Sequence, residues 1–281
     1  MRPAARLLLA LNRCFTPPVH PFNLQNDGTK SYAMWQFEHG RETVRFFLER
    51  YTPEEMFQGK TVCDIGCGAG GKSLYYASLG AAHVTGLDIL SQYGPQAETL
   101  ARELGLADKF TFLCRDASQT GLPDGSFDTV IMNDAMEHVA DPAAVLAECA
   151  RLLKPGGRLF VNFPPYGHPY GAHLSDLIGV PWVHVFFRDE TLIDVYEHLC
   201  QSVPDGDDRF RLRITRDESG RRYFSYINKM TLKRFRSLRS GAPLREEYYR
   251  EVPLRPFLAQ PANWPLFREY LVKMAVCAFT K

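Results

Sequence analysis

The chain has 281 residues, of which 45% are hydrophobic and 23% charged, a composition typical of globular proteins that excludes disorder over most of the length. Its formal net charge of +1 gives no overall attraction to nucleic acid or to a membrane surface. Seven cysteines without a C-x-x-C pair fit neither a disulfide framework nor a zinc site, so a reducing, cytoplasmic compartment is expected.

The N-terminal stretch MRPAARLLLALNRCF is predicted to form an amphipathic helix. Its apolar run, residues 7–11, is shorter than the ~7 to 15 residues of a signal-peptide core. No apolar stretch elsewhere approaches the roughly 20 residues that span a bilayer. The sequence therefore predicts no membrane span.

From Gly59 onward, short apolar runs alternate with longer helical patterns, which is typical of a sheet built from βαβ units. Pro142 suits a first helical turn, and Pro155-Gly156-Gly157 suits a helix end. The predicted strands are residues 61–65, 83–88, 110–114, 127–133 and 158–163, and the predicted helices are residues 71–79, 93–104 and 141–153.

This alternation stops after Phe163, where four prolines and several aromatic residues exclude a central strand. We expect an insertion that contains a hairpin turn at Asp217-Glu218-Ser219-Gly220. The predicted elements here are a helix at 189–200 and strands at 210–215 and 222–227, followed by a core helix at 231–239 and core strands at 244–252 and 271–280.

Residues 209–255 carry 14 Lys and Arg against 5 Asp and Glu. Residues 209–239 within this region suit the recognition of an anionic acceptor. A hairpin and a helix with one solvated cationic face explain the same charges, and we favour this second interpretation.

The segment VCDIGCGAGGKS contains overlapping glycine motifs. Gly66, Gly68 and Gly71 match the dinucleotide pattern G-x-G-x-x-G, whereas Gly66, Gly71, Lys72 and Ser73 match the Walker A pattern. Both require a strand, a glycine turn and a helix N-terminus that stabilises negative charge.

Asp64 favours a third interpretation of this segment. It precedes Gly66 by two residues and lies on the predicted strand. Its negative charge is unfavourable beside a triphosphate, whereas a ligand with an ammonium group would be stabilised. S-adenosylmethionine is such a ligand, since it has an amino acid head, a sulfonium, a ribose and an adenine but no phosphate.

The segment VCDIGCGAGG resembles motif I of the class I S-adenosylmethionine-dependent methyltransferases, in their small-molecule (methyltransferase-11, UbiE-like) branch. FTFLCRDAS, FDTVIMNDAMEHVADP and KPGGRLFVNFP resemble the later strands and loops of that family. The resemblance is close over residues 59–163, loose over the last 50 residues, and does not extend to the insertion. It implies an α/β fold, with a Rossmann-like, seven-stranded, mostly parallel sheet, helices on both faces and a cap insertion after strand 5.

The resemblance also implies positions for the cofactor. Asp88 ends the strand HVTGLD and would bind the ribose hydroxyls, Asp116 would bind the adenine amino group, and Asn133 would lie near the methionine part. Lys72 then becomes a solvated residue of a first helical turn. The predicted cofactor-binding residues are Asp64, Gly66, Cys67, Gly68, Gly70, Asp88, Ile89, Asp116, Ala117, Asn133, Asp134, Tyr32 and Trp35.

On this basis the chain divides into an N-terminal helical and lid segment (1–58), the cofactor-binding core (59–163), a substrate cap with a hairpin (164–228) and a C-terminal completion of the sheet (229–281). In related enzymes a segment like HPFNLQNDGTKSYAMWQFEHG closes over the cofactor, which makes Tyr32, Trp35 and His39 candidate lid residues. Packing on the sheet edge explains these residues equally well.

Ligands of open α/β sheets bind at the carboxyl ends of the strands, which places the segment FPPYGHPYGAHLSD opposite the methyl group. A histidine suits a general base, because its pKa lies near neutrality; structural packing is the alternative role. The candidates are His173, then His168, then His138 as base, and Tyr166, Tyr170, Trp182 and His184 as substrate-binding residues. His168, His173, His184 and Asp176 match no defensible metal-ligand spacing, so no metal is expected.

The predicted function is methyl transfer to a small molecule, most readily at oxygen, by in-line displacement. Carbon methylation of a quinone or lipid-like precursor is an alternative. A non-catalytic module that binds S-adenosylmethionine is another, and a nicotinamide-dependent dehydrogenase is a third. The sequence does not define the acceptor or the oligomeric state.

Overall fold

A computed structural model describes residues 1–281 of the chain. The helices are α1 (Pro3–Asn12), α2 (Pro21–Asn26), α3 (Tyr32–Glu38), α4 (Gly40–Val44), α5 (Pro53–Phe57), α6 (Gly71–Ser78), α7 (Tyr93–Glu103), α8 (Pro142–Leu152), α9 (Val183–Phe186), α10 (Asp189–Cys200), α11 (Gly206–Arg213), α12 (Leu232–Gly241), α13 (Ala259–Ala262) and α14 (Pro265–Leu271). The strands are β1 (Thr61–Ile65), β2 (His83–Asp88), β3 (Phe110–Cys114), β4 (Phe127–Asn133), β5 (Leu153–Phe163), β6 (Ile214–Arg216), β7 (Arg222–Phe224), β8 (Arg245–Pro253) and β9 (Val272–Thr280).

The chain forms two compact units. The first comprises Met1–Lys30, Pro164–Leu232 and Pro253–Lys273, and the second comprises Ser31–Phe163, Lys233–Val252 and Met274–Lys281. None of the helices combines the length and apolar character that crossing a membrane requires.

The second unit is built on a seven-stranded sheet in the order β3-β2-β1-β4-β5-β9-β8. Strands β1 to β5 pair in parallel, and β9 pairs antiparallel to β5. This is the Rossmann-like, mostly parallel sheet that the sequence predicts, including the antiparallel last strand.

The central strands are continuous apolar runs because both faces of the sheet are covered. Every residue of β1 after Thr61 is buried, and Ile131 of β4 and Phe160 of β5 lie in the same core. Phe47 and Tyr51 pack edge-on against Phe160 with ring centroids 5.2 and 5.1 Å away. These contacts hold the segment between α4 and α5 against the sheet.

The predicted bounds of β1 to β4 agree with the structure. Strand β5 begins five residues earlier than predicted, because Leu153 already pairs with Phe127 across an irregular step in the β4–β5 register. Helix α8 begins at Pro142, one residue after its predicted start, and the Asp141 carboxylate accepts hydrogen bonds from the next two free N–H groups, of Ala143 and Ala144, as an N-cap does.

The first unit has its own apolar core, which contains Ala5 and Leu8 of α1 and Leu192, Val195 and Tyr196 of α10. The predicted N-terminal helix and the predicted helix 189–200 are both confirmed.

The predicted strand 210–215 is wrong over most of its length. Residues Gly206–Arg213 form helix α11, and only Ile214–Arg216 pairs with Arg222–Phe224 as a hairpin. The helix has Asp207 and Asp208 in its first turn and two arginines in its last turn, which stabilises it through the helix dipole. Helix α14 was not predicted, and the last strand begins directly after it.

Candidate active site

The turn after β1 has the left-handed backbone that glycine tolerates, with φ of 73° at Gly66, 56° at Gly68 and 78° at Gly70. A Cβ added to Gly68 would lie 2.8 Å from the Gln36 amide nitrogen, and one added to Gly70 would lie 2.6 Å from the Ala97 Cβ. The turn therefore packs too closely for side chains. Its Gly66 and Cys67 N–H groups donate to the Leu87 carbonyl at the end of β2, which holds the turn at the carboxyl edge of the sheet.

Asp88 ends β2 and is bound to this turn. One carboxylate oxygen accepts a 2.8 Å hydrogen bond from the Gly68 N–H, and the other accepts a 2.9 Å bond from the Leu90 N–H. Burial raises the pKa of Asp88 in spite of these two bonds. The next residue, Ile89, is an apolar side chain that is 69% exposed at the same strand end.

Asp64 lies beneath the glycine turn and is almost inaccessible. It accepts a 2.6 Å hydrogen bond from the Ser73 hydroxyl. Burial raises its pKa to about 7, and the Ser73 bond and the Lys72 charge only partly oppose that shift. Its carboxylate is thus held against α6, and its charge changes near neutral pH.

Asp116 follows β3 by two residues and is exposed. Its carboxylate accepts 2.7 Å hydrogen bonds from the Ser118 N–H and hydroxyl, which lower its pKa. Because β3, β2 and β1 are neighbours in the sheet, the three predicted carboxylates stand at the ends of three adjacent strands.

Helix α3 packs directly on the glycine turn. The Gln36 side chain accepts a 3.3 Å hydrogen bond from the Gly71 N–H and donates a weak 3.5 Å bond to the Cys67 carbonyl. A Cβ on Gly71 would lie 2.0 Å from the Ala33 carbonyl oxygen. The N-terminus of α6 is thus already occupied by protein groups.

Sequence reasoning missed Gln36. The available signal was its position one helical turn after Tyr32, whose hydroxyl lies 3.4 Å from the added Cβ of Gly68. The other two lid candidates stack on each other, with the Trp35 and His39 rings 4.3 Å apart.

The prediction for Lys72 is wrong. Its side chain is only 13% exposed, and its ammonium lies 2.8 Å from the Asp134 carboxylate. Asp134 has a φ of 50°, so its backbone turns sharply at the end of β4. The lysine joins this turn to α6 instead of projecting into water.

Asn133, the last residue of β4, is buried and donates from its amide to the Tyr76 hydroxyl. Its amide oxygen has no hydrogen-bond partner. The same is true of Asn162, its register partner on β5, which donates to the Thr43 carbonyl. Two buried amide oxygens with spare acceptor capacity therefore lie side by side at the ends of β4 and β5.

Comparison with known proteins agrees with this geometry. Residues 63–161, which contain the glycine turn and the three carboxylates, match the family described as "Methyltransferase domain". Ubiquinone biosynthesis O-methyltransferase of Paraburkholderia xenovorans is 37% identical over 167 residues, which cover 58% of this chain and 70% of that protein.

The chain belongs to the class I S-adenosylmethionine-dependent methyltransferases. Its similarities place this methyltransferase in the methyltransferase-11, UbiE-like branch, and S-adenosylmethionine is its cofactor.

Two plant relatives are similar over shorter stretches. Tocopherol O-methyltransferase of Arabidopsis thaliana is 33% identical over 52% of this chain and 41% of its own length. Phosphoethanolamine N-methyltransferase 1 of the same plant is 32% identical over 44% of this chain and 24% of its own length. The chain thus spans less than half of either plant protein.

The structure of geranyl diphosphate methyltransferase in complex with S-adenosylmethionine has the same fold. Its TM-score is 0.54 at 16% identity, over 86% of this chain and 84% of that one.

The first unit of the methyltransferase contains two of the three histidines predicted as bases. His173 has a left-handed φ of 53°, and its carbonyl accepts a 3.0 Å hydrogen bond from the Arg213 Nε. His168 accepts a 3.1 Å bond from the Tyr170 N–H through Nδ1. The third, His138, lies in the second unit, with its Nε2 3.8 Å from the Glu137 carboxylate.

Two of the predicted acceptor residues, Tyr166 and His184, contact each other in the first unit. The rings of Tyr166 and His184 lie 4.6 Å apart, and the Lys229 ammonium is 5.6 Å from the Tyr166 ring centroid. Burial lowers the pKa of His184 to about 4, so this imidazole is neutral at physiological pH. Trp182 adopts a left-handed φ of 52°, and its indole nitrogen is buried.

Asp176 lies in a buried ionic cluster. Its carboxylate accepts hydrogen bonds from Arg209 (3.1 Å) and from the Tyr196 hydroxyl (2.8 Å), and Arg213 lies 3.4 Å away. A metal ion there would compete with two guanidinium groups, which argues against Asp176 as a metal ligand.

The same cluster corrects the interpretation of the basic region, since Arg209 and Arg213 are buried and face Asp176 instead of water. Much of the remaining positive charge is also paired within each unit. Arg222 contacts Asp194 and Glu197, and Lys229 contacts Asp189.

Proposed function

We propose that this methyltransferase transfers a methyl group to a hydroxyl oxygen of a small aromatic acceptor. The cofactor supplies the methyl group as an electrophile on a sulfonium, and the work of the protein is alignment and, where needed, removal of the acceptor proton. Support for oxygen comes from the ubiquinone and tocopherol methyltransferases among its relatives.

The observation that carries the cofactor assignment is the Asp88 carboxylate fixed by the Gly68 and Leu90 N–H groups. With both oxygens oriented, Asp88 would accept hydrogen bonds from the ribose hydroxyls. In this proposal Ile89, Ala117 and Asp116 contact the adenine, and the backbone of residues 66–70 lies along the adenosine. Asn133, Asp134 and the buried Asp64 would contact the amino acid end of the cofactor. Tyr32 and Trp35 would lie in the segment that closes over it.

We further propose that residues 164–228 supply the acceptor-binding residues, with Tyr166, Tyr170, Trp182 and His184 among them. A base would take the acceptor proton, with His173 the first candidate and His168 and His138 the next two. The low pKa of His184 suits a neutral hydrogen-bonding role better than that of a base.

Calorimetry with S-adenosylhomocysteine tests the cofactor site. Asp88→Asn should weaken binding roughly tenfold or more, because a hydrogen bond to a charged group is lost. The control is Asp108→Asn, an exposed aspartate just before the amino end of β3. Equal binding by wild type and Asp88→Asn, or preferential uptake of ATP or NADH, would contradict the assignment.

The acceptor atom is tested with cofactor that carries a ¹³C-labelled methyl group and a panel of phenols, amines and quinone precursors. The carbon chemical shift of the product identifies oxygen, nitrogen or carbon as the methylated atom. A methyl ether supports the proposal, and carbon methylation overturns it. Tight cofactor binding with no product from any acceptor would favour a non-catalytic binding module.

A further inference from the structure

Exposed apolar side chains are concentrated in one short segment of the first unit. Of the fifteen large apolar side chains that are exposed in the whole chain, five lie between residues 257 and 270. Phe257 is 79% exposed and Leu266 is 74% exposed, and Trp264, Phe267 and Tyr270 are exposed as well. Clusters of this kind on a folded protein mark interaction surfaces.

Helix α14 in this segment turns its polar side to the protein and its apolar side to solvent, which is the reverse of an ordinary surface helix. Its only acidic residue, Glu269, faces the protein, because its carboxylate accepts a 2.9 Å hydrogen bond from the Leu232 N–H. The backbone at Glu269 also packs against Gly167, where an added Cβ would lie 1.9 Å from the Glu269 carbonyl oxygen. The helix is therefore anchored by its polar side, and Leu266, Phe267 and Tyr270 are turned to solvent.

The charge of the segment identifies the kind of partner. Residues 255–270 contain two basic residues, Arg255 and Arg268, and their single acid, Glu269, is hydrogen-bonded to the protein. Arg255 is exposed. An anionic surface complements such a face, whereas two copies of it would bring like charges together. Aromatic side chains with flanking cations are the composition that binds at the headgroup level of a bilayer.

We propose that residues 255–270, here called the aromatic face, dock the methyltransferase peripherally on a membrane surface that contains anionic lipid. Trp264, Phe257 and Leu266 enter the interface between headgroups and acyl chains, and the exposed Arg255 meets the lipid phosphates. The inference goes beyond the proposed function and does not depend on the methylated atom.

Sedimentation of the full-length protein with vesicles tests this. The protein should bind vesicles of equal parts phosphatidylcholine and phosphatidylglycerol, and bind pure phosphatidylcholine much more weakly. High salt should release it, because the attraction of basic residues to the surface is screened. A failure to bind the anionic vesicles overturns the proposal.

Matched variants locate the binding face. Phe257→Ser with Leu266→Ser should weaken vesicle binding roughly tenfold or more, given the area that each side chain would bury. Phe186→Ser is the control, since this phenylalanine is 74% exposed but lies outside the segment. Unchanged binding by the double variant, or an equal loss in the control, overturns the assignment.

The fluorescence of Trp264 is a more specific readout, because adsorption of the protein through another surface would leave the environment of this side chain unchanged. Emission of the wild-type protein should shift to shorter wavelength on addition of the anionic vesicles. Trp264→Phe should keep binding in sedimentation but lose most of that shift, although Trp35 and Trp182 remain. A full shift in Trp264→Phe contradicts insertion of this residue.

Light scattering without lipid tests whether a second copy of the chain, instead of a membrane, covers the aromatic face. A wild-type dimer that the double variant converts to a monomer would assign the aromatic face to a second copy and overturn the lipid proposal. Binding of S-adenosylhomocysteine by the double variant should equal that of wild type, which separates a failure here from a failure of the cofactor assignment.

Discussion

At the scale of single residues, the charge of Asp64 depends strongly on its surroundings. It is conventional to regard an acidic residue beside a glycine turn as ionised, but here burial raises its pKa to about 7. Ser73 and Lys72 moderate this effect without removing it. The carboxylate is therefore a titrating group at the pH at which most enzymes are assayed.

A pH dependence of stability follows. The folded pKa of Asp64 lies above the unfolded value of 3.8, so the folded state binds the extra proton, and stability falls as the pH rises from about 4 through about 7. Asp64→Asn, which can still accept from Ser73, should remove this loss, worth up to about 4 kcal/mol. Urea unfolding without cofactor, at pH 5.5 and pH 8, measures it.

The variant should therefore gain stability over wild type at pH 8 and gain little at pH 5.5. In the proposed role, the same variant should also bind S-adenosylhomocysteine more weakly at pH 8. An identical difference in stability at both pH values would contradict the titration of Asp64.

At the scale of elements, the contact between α3 and α6 decides the shape of the glycine turn. Gly71 has an ordinary φ, yet there is no space for a side chain beside the Ala33 carbonyl. The sequence motif assigns this glycine to phosphate or dinucleotide binding, whereas the structure uses it for the close approach of two helices.

Gly71→Ala should displace α3 and remove the Gln36 hydrogen bond, because the added Cβ would meet a backbone atom at 2.0 Å. We expect a loss of a few kcal/mol of stability, as for overpacking at a tight contact, together with weaker cofactor binding. The control is Gly241→Ala in α12, where nothing lies within 4 Å of the added Cβ. Thermal unfolding of both variants, with and without S-adenosylhomocysteine, gives the comparison.

The elements that the sequence predicted well are those with a local cause. Strands β1 to β4 are short apolar runs ended by glycine or polar residues, and α8 has its own cap and proline. Helix α11 was missed because its alternation of Arg with Phe210 and Leu212 is that of a strand, and only a distant aspartate makes burial of its arginines favourable.

Contacts between residues far apart in the sequence also limited the prediction of the candidate site. The glycine turn and Asp88 are adjacent through the sheet and follow from the motif, but Gln36 and the pairing of Lys72 with Asp134 depend on contacts between residues 31 to 62 positions apart. Spacing alone could not place them. The roles of the histidines in the insertion stay predictions, as do the cytoplasmic location and the absence of a nucleic-acid partner.

At the scale of the whole molecule, the first unit depends on one buried aspartate. Asp176 neutralises Arg209 and Arg213, and its backbone carbonyl accepts a 3.0 Å hydrogen bond from Asn23. It thereby links α11 to the N-terminal segment within that unit. Removal of its charge would leave the buried Arg213 guanidinium without its carboxylate partner, whereas Arg209 would keep its pair with Asp205.

Asp176→Asn should destabilise the protein by about 3 to 5 kcal/mol, the cost of breaking a buried ion pair on one side. Asp208→Asn is the control, because its pair with Arg211 is exposed and should change the unfolding midpoint little. Chemical denaturation followed by circular dichroism measures both. A similar midpoint for the two variants would mean that the cluster contributes no net stability.

The position of β9 determines when the sheet can be completed during synthesis of the chain. This strand comes last in sequence, yet it lies between β5 and β8 in the sheet, where its residues pair with 158–163. Until residue 280 has left the ribosome, β5 is an open edge that another nascent chain can extend. The sheet therefore closes only after β9 has been made, and the β5 edge is exposed to other chains until then.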